Sequence, residues 1–475
     1  MAQGGGGDGR AGVRGAVLLL LTLSACAAGP GYHAAPIPTA DKGDFAASST
    51  ATSQPLPDRW WRLYQDPVLD RLVAEALTAN TDLRVAGANL AYADGLLDEA
   101  RAARFPSTAV SAGGSEGRTT AQAAAGRAAA FTYSTGFTAS YQVDLFGRVR
   151  RAVEATKADA QAAQATRDAV RVTVAARTAG AYADACGYGR QVGVARRSLA
   201  LIERSFEHSV VRRDAGALSD FDIDRDRVVL EQAKAAIPPL EAARRAALLS
   251  VTALTGKTPA DIPADAAACA APPVLRAPLP VGDGAALLRR RPDVRAAERG
   301  LAAATARIGV ATADLYPTIT LGGGVSNTAT QIAGLGRSAT GAFTIGPLLT
   351  WSFPNILAAR AHVRQANAQT AAALARFDGV VLQALRETET TLSVYDAEQR
   401  RRAALAAAQA SADEAQRLAL IQFKAGTASI LDLLQAQSAA VAADQALAAS
   451  DQAIADDQIA VFQALGGGWE AEPSR

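Results

Sequence analysis

Four aspartates, Asp220, Asp222, Asp224 and Asp226, sit at alternate positions and superficially suit a calcium loop. An EF-hand needs Gly at its sixth position and Glu at its twelfth. The sixth is Arg225 and only the twelfth, Glu231, complies, so no calcium site is expected. On a helix the four acids would spread around the cylinder. His33, His208 and His362 are scattered without metal-ligand spacing. No nucleophile stands beside a base, so neither a metal centre nor acid–base catalysis is expected. Gly466-Gly467-Gly468 before Trp469 lacks the following helix that a phosphate cradle requires, and reads as a helix stop. The chain is read as a non-enzyme that uses no cofactor.

If the residues do no chemistry, the elements that carry them must do something else, and the N-terminus gives an address. Arg10 and Arg14 precede the apolar run Ala16-Val17-Leu18-Leu19-Leu20-Leu21, followed by Leu23-Ser24-Ala25-Cys26. A basic start, a short apolar core and small residues make a secretory signal, too short to span a bilayer. Leu-Ser-Ala-Cys resembles a bacterial lipobox, which implies residues 1–25 as a lipoprotein signal peptide and Cys26 as the lipidated start of a tail over 26–65; the alternative is a plain signal peptide cut after an Ala-x-Ala-like site, with Cys26 incidental. In lipoproteins Asp after that Cys favours the inner membrane; Ala27 points to the outer one. The other cysteines, Cys186 in a long helix and Cys269 in a Pro/Ala-rich linker, are either bridged in an oxidising periplasm or two separate thiols.

Charge is nearly balanced, 48 Lys and Arg against 46 Asp and Glu, which gives no reason to expect nucleic acid. An aromatic content of 5% and an Ala-rich composition favour long helices over one large core. Phe131, Tyr133, Phe137, Tyr141, Val143 and Leu145 alternate with Thr132, Ser134, Thr138, Gln142 and Asp144. Period two over about fifteen residues predicts a strand about 50 Å long with one apolar and one hydroxyl-rich face. Gly147 then opens proline-free helical text running to Pro238.

The chain repeats itself. Asp82 matches Asp293 and Pro106 matches Pro317, both at an offset of 211; Gly216 matches Gly426 and Asp222 matches Asp432 at 210. Ala253-Leu254-Thr255-Gly256 is aligned with Ala464-Leu465-Gly466-Gly467 at 211. The first repeat is placed at 66–257, with strands near 106–116 and 130–146 and long helices near 148–213 and 219–255. A linker over 258–281 leads to the second at 282–468, with strands near 317–327 and 341–353, helices near 355–424 and 428–465, and a tail over 469–475.

Two deductions follow. Open sheet edges cannot face lipid, and bacterial outer-membrane barrels start at eight strands, so four strands must be pooled from several copies. A helix of about 65 residues is roughly 100 Å long and must pack side by side with others along Ala, Leu and Val seams. Together they describe a barrel in the outer membrane continued by a helical tube in the periplasm.

Trp60 to Leu72 (WWRLYQDPVLDRL), Asn80 to Leu83 (NTDL), Tyr141 to Arg151 (YQVDLFGRVRR), Leu288 to Leu301 (LRRRPDVRAAERGL), Ile308 to Leu321, Gly426 to Gln437 (GTASILDLLQAQ) and Ala464 to Trp469 (ALGGGW) are signature stretches. With them the chain resembles the TolC-like outer-membrane efflux factors of the NodT lipoprotein branch. The resemblance implies a mainly α fold with membrane β: a homotrimer with a twelve-stranded barrel, a twelve-helix periplasmic α-barrel and an equatorial domain. It implies a passive exit duct for drugs or other small solutes, partnered by a periplasmic adaptor, an inner-membrane resistance-nodulation-division transporter and outer-membrane lipid. Protein export through the same fold, or a lipidated coiled-coil scaffold without a pore, are the alternatives. It further implies an adaptor-facing tip at Arg213, Asp214, Gly216, Lys424 and Gly426. Leu431, Gln435 and Ser438 share one helical face at i, i+4 and i+7, where lipoprotein relatives carry Leu, Asp and Arg that constrict the mouth. Leu431 is kept and the ionic pair is replaced. Asp222 and Asp432 either line the entrance or start their helices as acids. Replacing Cys26 with Ser is expected to abolish acylation and partly mislocalise the protein; normal incorporation of labelled palmitate into the variant would refute the lipobox.

Overall fold

The computed structural model describes residues 28–34, 51–52, 54, 56–118, 120–275, 278–282, 288, 290–354 and 356–469. Cys26 and the expected signal peptide lie outside the described residues. Strands are β1 (Ala51–Thr52), β2 (Ser107–Gly117), β3 (Ala130–Val143), β4 (Leu279–Pro280), β5 (Thr318–Ala329) and β6 (Gly341–Thr350). The principal helices are α1 (Pro67–Ala79), α2 (Thr81–Ala102), α3 (Thr120–Ala124), α4 (Arg148–Asp214), α5 (Asp220–Ala235), α6 (Ile237–Leu254), α7 (Ala264–Ala268), α8 (Pro292–Ala313), α9 (Leu357–Lys424) and α10 (Ile430–Ala464). No described helix is long and apolar enough to cross a membrane. The chain divides into two compact units, one of Met1–Pro36, Asn89–Gln164 and Ala296–Phe377, the other of Ile37–Ala88, Ala165–Arg295 and Asp378–Arg475.

The first unit holds the antiparallel sheet β2-β3-β5-β6. Each repeat contributes one hairpin, and β3 pairs with β5 to join them. The alternating text predicts β3 as far as residue 146, yet it stops at Val143. Asp144 turns back as a cap: its carboxylate accepts from Val149 N at 3.0 Å and Arg150 N at 2.9 Å, satisfying two of the orphan donors at the start of α4. The polar position that fits the alternation is thus spent on the helix. Similarly β6 ends at Thr350, short of the expected 353. In the same unit, Leu97 of α2 and Val153 and Ala160 of α4 form a small cluster.

The second unit is packed around Trp60, fully buried in a short 3-10 helix (Trp60–Tyr64) and stacked on Phe462 of α10 at 4.6 Å. Gly467 lies so close that a Cβ there would stand 2.7 Å from Trp60 Cδ1, which explains a glycine before the terminal Trp. Leu69, Leu72 and Val73 of α1 and Ala175, Ala179 and Ala183 of α4 complete this core. Small residues on α4 let helix backbones approach closely. The expected single helix over 219–255 is two, parted at Ala236, because Pro238 and Pro239 bring no N–H to the ladder. Cys186 of α4 and Cys269 after α7 form a disulfide. Arg244 of α6 holds the same segment, donating to Ala267 O at 2.6 Å and Cys269 O at 3.0 Å.

The duplication shows in the helix ends. α4, α6, α9 and α10 all finish on a left-handed glycine: Gly216 (φ +72°), Gly256 (+71°), Gly426 (+74°) and Gly466 (+67°). At each the next residue's N–H closes onto a carbonyl five residues back, as in Ala217 to Arg212 and Thr427 to Gln422. The last pair is therefore Gly256 with Gly466, 466 − 256 = 210, correcting the alignment of Gly256 with Gly467 by one residue. Asn80 and Arg291, matched at 211, do the same work with different chemistry: Asn80 Nδ2 donates to Leu254 O (3.1 Å) and Arg291 Nη1 to Ala464 O (2.7 Å).

Replacing Cys186 and Cys269 together by Ser is expected to cost up to about 4 kcal/mol, from freeing a loop of this length in the unfolded chain. The check is a lower thermal midpoint for the variant; an unchanged midpoint would show the linker held by Arg244 and packing alone.

Candidate functional site

The sheet register sorts its residues into two faces. Val110, Phe137, Val325 and Phe343 oppose one another across all four strands, and Ala139, Gly323 and Ile345 form the row beside them. This apolar face is open: Ile345 is 85% exposed, Val110 82% and Phe343 79%. The opposite face carries Ser111, Ser134, Thr138, Ser326 and Thr344, with Leu348 its apolar exception. Outer edges of β2 and β6 have no strand partner among the described residues. Aromatic pairs mark both ends of the strands: Phe131 with Tyr133 (4.7 Å) at one, Phe146 with Tyr316 (4.5 Å) and Trp351 with Phe353 (4.7 Å) at the other. Trp351 Nε1 also donates to Leu315 O at 3.2 Å. From Tyr133 to Val143 the strand runs about 33 Å. Tilted by about 40° it covers a band of about 25 Å, the apolar height of an outer-membrane barrel.

The second unit contains the two helix turns. Gly216 and Gly426 make them, and Arg213 is closed onto its neighbour Asp214 at 2.6 Å. Gly216, Lys424 and Gly426 are exposed. Asp222 and Asp432 occupy the third helical position after Ser219 and Ser429, and each forms a capping box with its serine. Those hydrogen bonds hold both carboxyls below the ordinary carboxylate value. On α10, Leu431, Gln435 and Ser438 lie on an exposed face while Leu433, Leu434, Gln437 and Ala440 are buried. Two contacts tie the hairpins α4–α5 and α9–α10 together near the turns. Ser205 and Gln437 are hydrogen-bonded at 3.0 Å, and Arg212 sits over the Phe423 ring at 5.2 Å.

Farther along α10 runs a polar seam that the sequence reading did not single out. Asp451 accepts from Arg402 Nε of α9 at 2.6 Å, and Arg190 of α4 stands 2.8 Å from its other oxygen. Gln452 donates to Asp184 and accepts from Gln191 at 2.7 Å. Asp456 and Asp457 follow with their carboxyls pushed up to about 8 and about 6, mainly by burial. For Asp456 the neighbouring Asp184 and Asp457 add to the shift, and for Asp457 Glu398 does. The signal available beforehand was the cluster Ser450-Asp451-Gln452 and Asp456-Asp457-Gln458 in otherwise Ala-rich helical text.

A sheet with a bare apolar face, in a chain that also carries helices of 67 and 68 residues, suits a wall facing membrane lipid. The outer membrane efflux protein family matches residues 72–257 and 285–467. The chain belongs to that family. It is 30% identical to outer membrane protein OprJ of Pseudomonas aeruginosa, over 96% of this chain and 95% of that one. It is also 30% identical to nodulation protein T of Rhizobium leguminosarum bv. trifolii, over 88% and 89%. The solved outer-membrane channel OprN superimposes with a TM-score of 0.87 at 33% identity, covering 94% of this chain and all of that one. The fold is TolC-like, two repeats of the efflux-protein unit, and the protein is an outer-membrane efflux channel rather than an enzyme.

In this efflux channel the α10 seam makes stability depend on pH with a definite sign. Asp456 has an ordinary value of 3.8 and a folded one of about 8, so between those values the folded chain holds the extra proton. Stability therefore falls as pH rises through that window, by at most about 1.4 kcal/mol per pH unit, and levels off above it. Asp456→Asn is expected to flatten the dependence of the thermal midpoint between pH 5 and 8 and to raise the midpoint at pH 8. A variant profile parallel to that of the parent would assign the dependence to other groups.

Proposed function

We propose that three copies of this chain pool their strands into a twelve-stranded barrel across the outer membrane, and that their long helices carry the passage into the periplasm. The observation that carries this reading is the four-strand sheet, apolar on one face and, among the described residues, unpaired at both edges. Joining β2 of one copy to β6 of the next would satisfy the edge donors and acceptors, and lipid would cover Val110, Phe343 and Ile345. The hydroxyl-rich face would line a water-filled lumen.

The duct is passive. Nothing in the chain reads as a nucleotide site, so energy comes from an inner-membrane transporter, of the proton-driven resistance-nodulation-division class by family likeness, with a periplasmic adaptor between them. Drugs or other small solutes are the cargo. Cys26, acylated, anchors each copy in the membrane. The exposed turns at Gly216 and Gly426, with Arg213, Asp214 and Lys424, are the surface the adaptor meets. The mouth closes beside them, where Leu431 from each copy forms an apolar ring backed by Gln435 and Ser438. Asp222 and Asp432, held in their capping boxes, shape the turns that carry this ring.

Leu431→Ser is expected to raise single-channel conductance in planar bilayers several-fold and to sensitise cells to large antibiotics. Unchanged conductance would remove Leu431 from the constriction. A detergent-solubilised particle with the mass of one chain that still conducts would overturn the trimer.

A further inference from the structure

A short segment downstream of Cys26 is held in a built site of the first unit. Ala28 N donates to Phe146 O at 3.0 Å. Arg151 of α4, only 9% exposed, reaches across the segment: Nε donates to Ala28 O at 3.3 Å and Nη2 to Gly29 O at 3.2 Å. Its remaining fork donates to Glu154 at 2.8 Å, so the buried cation is paired. Gly29, at φ +85°, lies directly on Gly309 of α8. A Cβ on Gly29 would stand 2.5 Å from Gly309 Cα, and one on Gly309 would stand 2.8 Å from Ala28 O. Backbone rests on backbone here, with no room for a side chain on either strand of the contact. Farther on, Tyr32 donates to Glu298 at 2.6 Å, packs against the cluster of Ala158, Ala302 and Ala303, and has Arg299 over its ring at 5.8 Å.

We propose that Arg151, Gly309 and Glu298 form a dock for the tail of the acylated protein, which makes the lipid anchor a fixed part of the folded body rather than a loose tether. This rests on the reading of Cys26 as the acylated residue. One residue, Ala27, separates Cys26 from Ala28, and two steps of chain reach at most about 7 Å. The acyl chains are therefore delivered close to Phe146, whose ring is stacked on Tyr316 just beyond the ends of β3 and β5. Aromatic pairs of this kind sit at the bilayer interface, so the dock sets anchor and strand ends at one membrane depth. Its ligand is the protein's own lipidated tail and, through it, a lipid surface. Because α4 comes from the first repeat and α8 from the second, the dock is complete only when both repeats have met. Tail capture thus follows assembly of the unit.

The test is hydrogen–deuterium exchange on the full-length acylated protein in lipid nanodiscs, following the peptide that covers Ala28–Tyr32, with palmitate incorporation measured in parallel. In the parent protein the Ala28 amide should exchange at least about 100-fold more slowly than free chain, as a folded, hydrogen-bonded amide does. Gly309→Leu, which fills the contact, and Arg151→Ala, which removes the fork, should each bring it to within about tenfold of free chain, as expected for an opened segment. Peptides from β3 and α10 should keep their protection in both, which separates loss of the dock from loss of the fold. Fast exchange in the parent, or slow exchange in both variants, overturns the dock. Absence of palmitate from the parent would instead overturn the anchoring role while leaving the captured tail in place.

Discussion

Everything in this chain depends on the impossibility of leaving a sheet edge bare in hydrocarbon. β2 and β6 each present an outer edge, and roughly half of the backbone groups of their 11 and 10 residues point outward from the sheet. At several kcal/mol for each unpaired group, the total is some tens of kcal/mol. That exceeds the whole net stability of a domain, about 5–15 kcal/mol. No rearrangement of four strands removes it, whereas pairing edges between copies does. The apolar outer row and the aromatic ends of the strands are consequences of the same environment. The small hydroxyl face follows too, since large side chains on it would fill the lumen that the proposed closed barrel would enclose.

The helices answer a different constraint. An Ala-rich seam packs closely but offers no preferred register, because one small residue replaces another after a slip of a turn. Along α10 the register is set by polar contacts that a slip would break. Asp451 lies between Arg190 and Arg402, Gln452 between Asp184 and Gln191, and Gln458 between Tyr64 and Tyr395. Asp451 is buried while both its arginines are partly exposed, so these pairs add little net stability, yet a slip that removed them would leave the buried carboxylate uncompensated, and wrong alignments are penalised. Asp456 and Asp457 show the cost of the device. Buried, and packed beside other acids, they are held toward their neutral forms.

Much of this could be read from the residues alone, where a single physical rule decided the outcome. Period two marked the strands, Gly216 and Gly426 marked the turns, and the repeat offset marked the duplication. The errors came where one residue served two masters. Asp144 continues the polar alternation and so looks like strand, but a carboxylate facing two free N–H groups at the start of α4 is worth more as a cap. Gly466 and Gly467 are adjacent glycines, and only the left-handed φ of Gly466 and the pressure of Trp60 on Gly467 tell which one ends the helix and which one makes room. The α10 seam escaped because its partners, Arg190 and Asp184, are far away in sequence and nothing local announces that the helices meet there. Arg151 likewise sits among arginines of similar appearance, and only its grip on Ala28 and Gly29 distinguishes it.

The weakness of the contacts near the turns bears on how such a mouth would operate. Arg212 over Phe423 is worth about 0.5–1 kcal/mol at an exposed site, and the hydrogen bond between Ser205 and Gln437 about 0.5–1.5 kcal/mol. Summed over three copies in the proposed trimer, these reach only about 3–7 kcal/mol. At 1.4 kcal/mol per tenfold, losing both contacts in all three copies would shift a closed–open equilibrium by about two to five powers of ten. A partner that binds the open form better by the same few kcal/mol would offset the loss of these contacts. Neither contact is an ion pair, so salt would screen the closure little. Closure by an apolar ring and weak contacts between hairpins therefore suits a duct that is opened by docking rather than by its own chemistry.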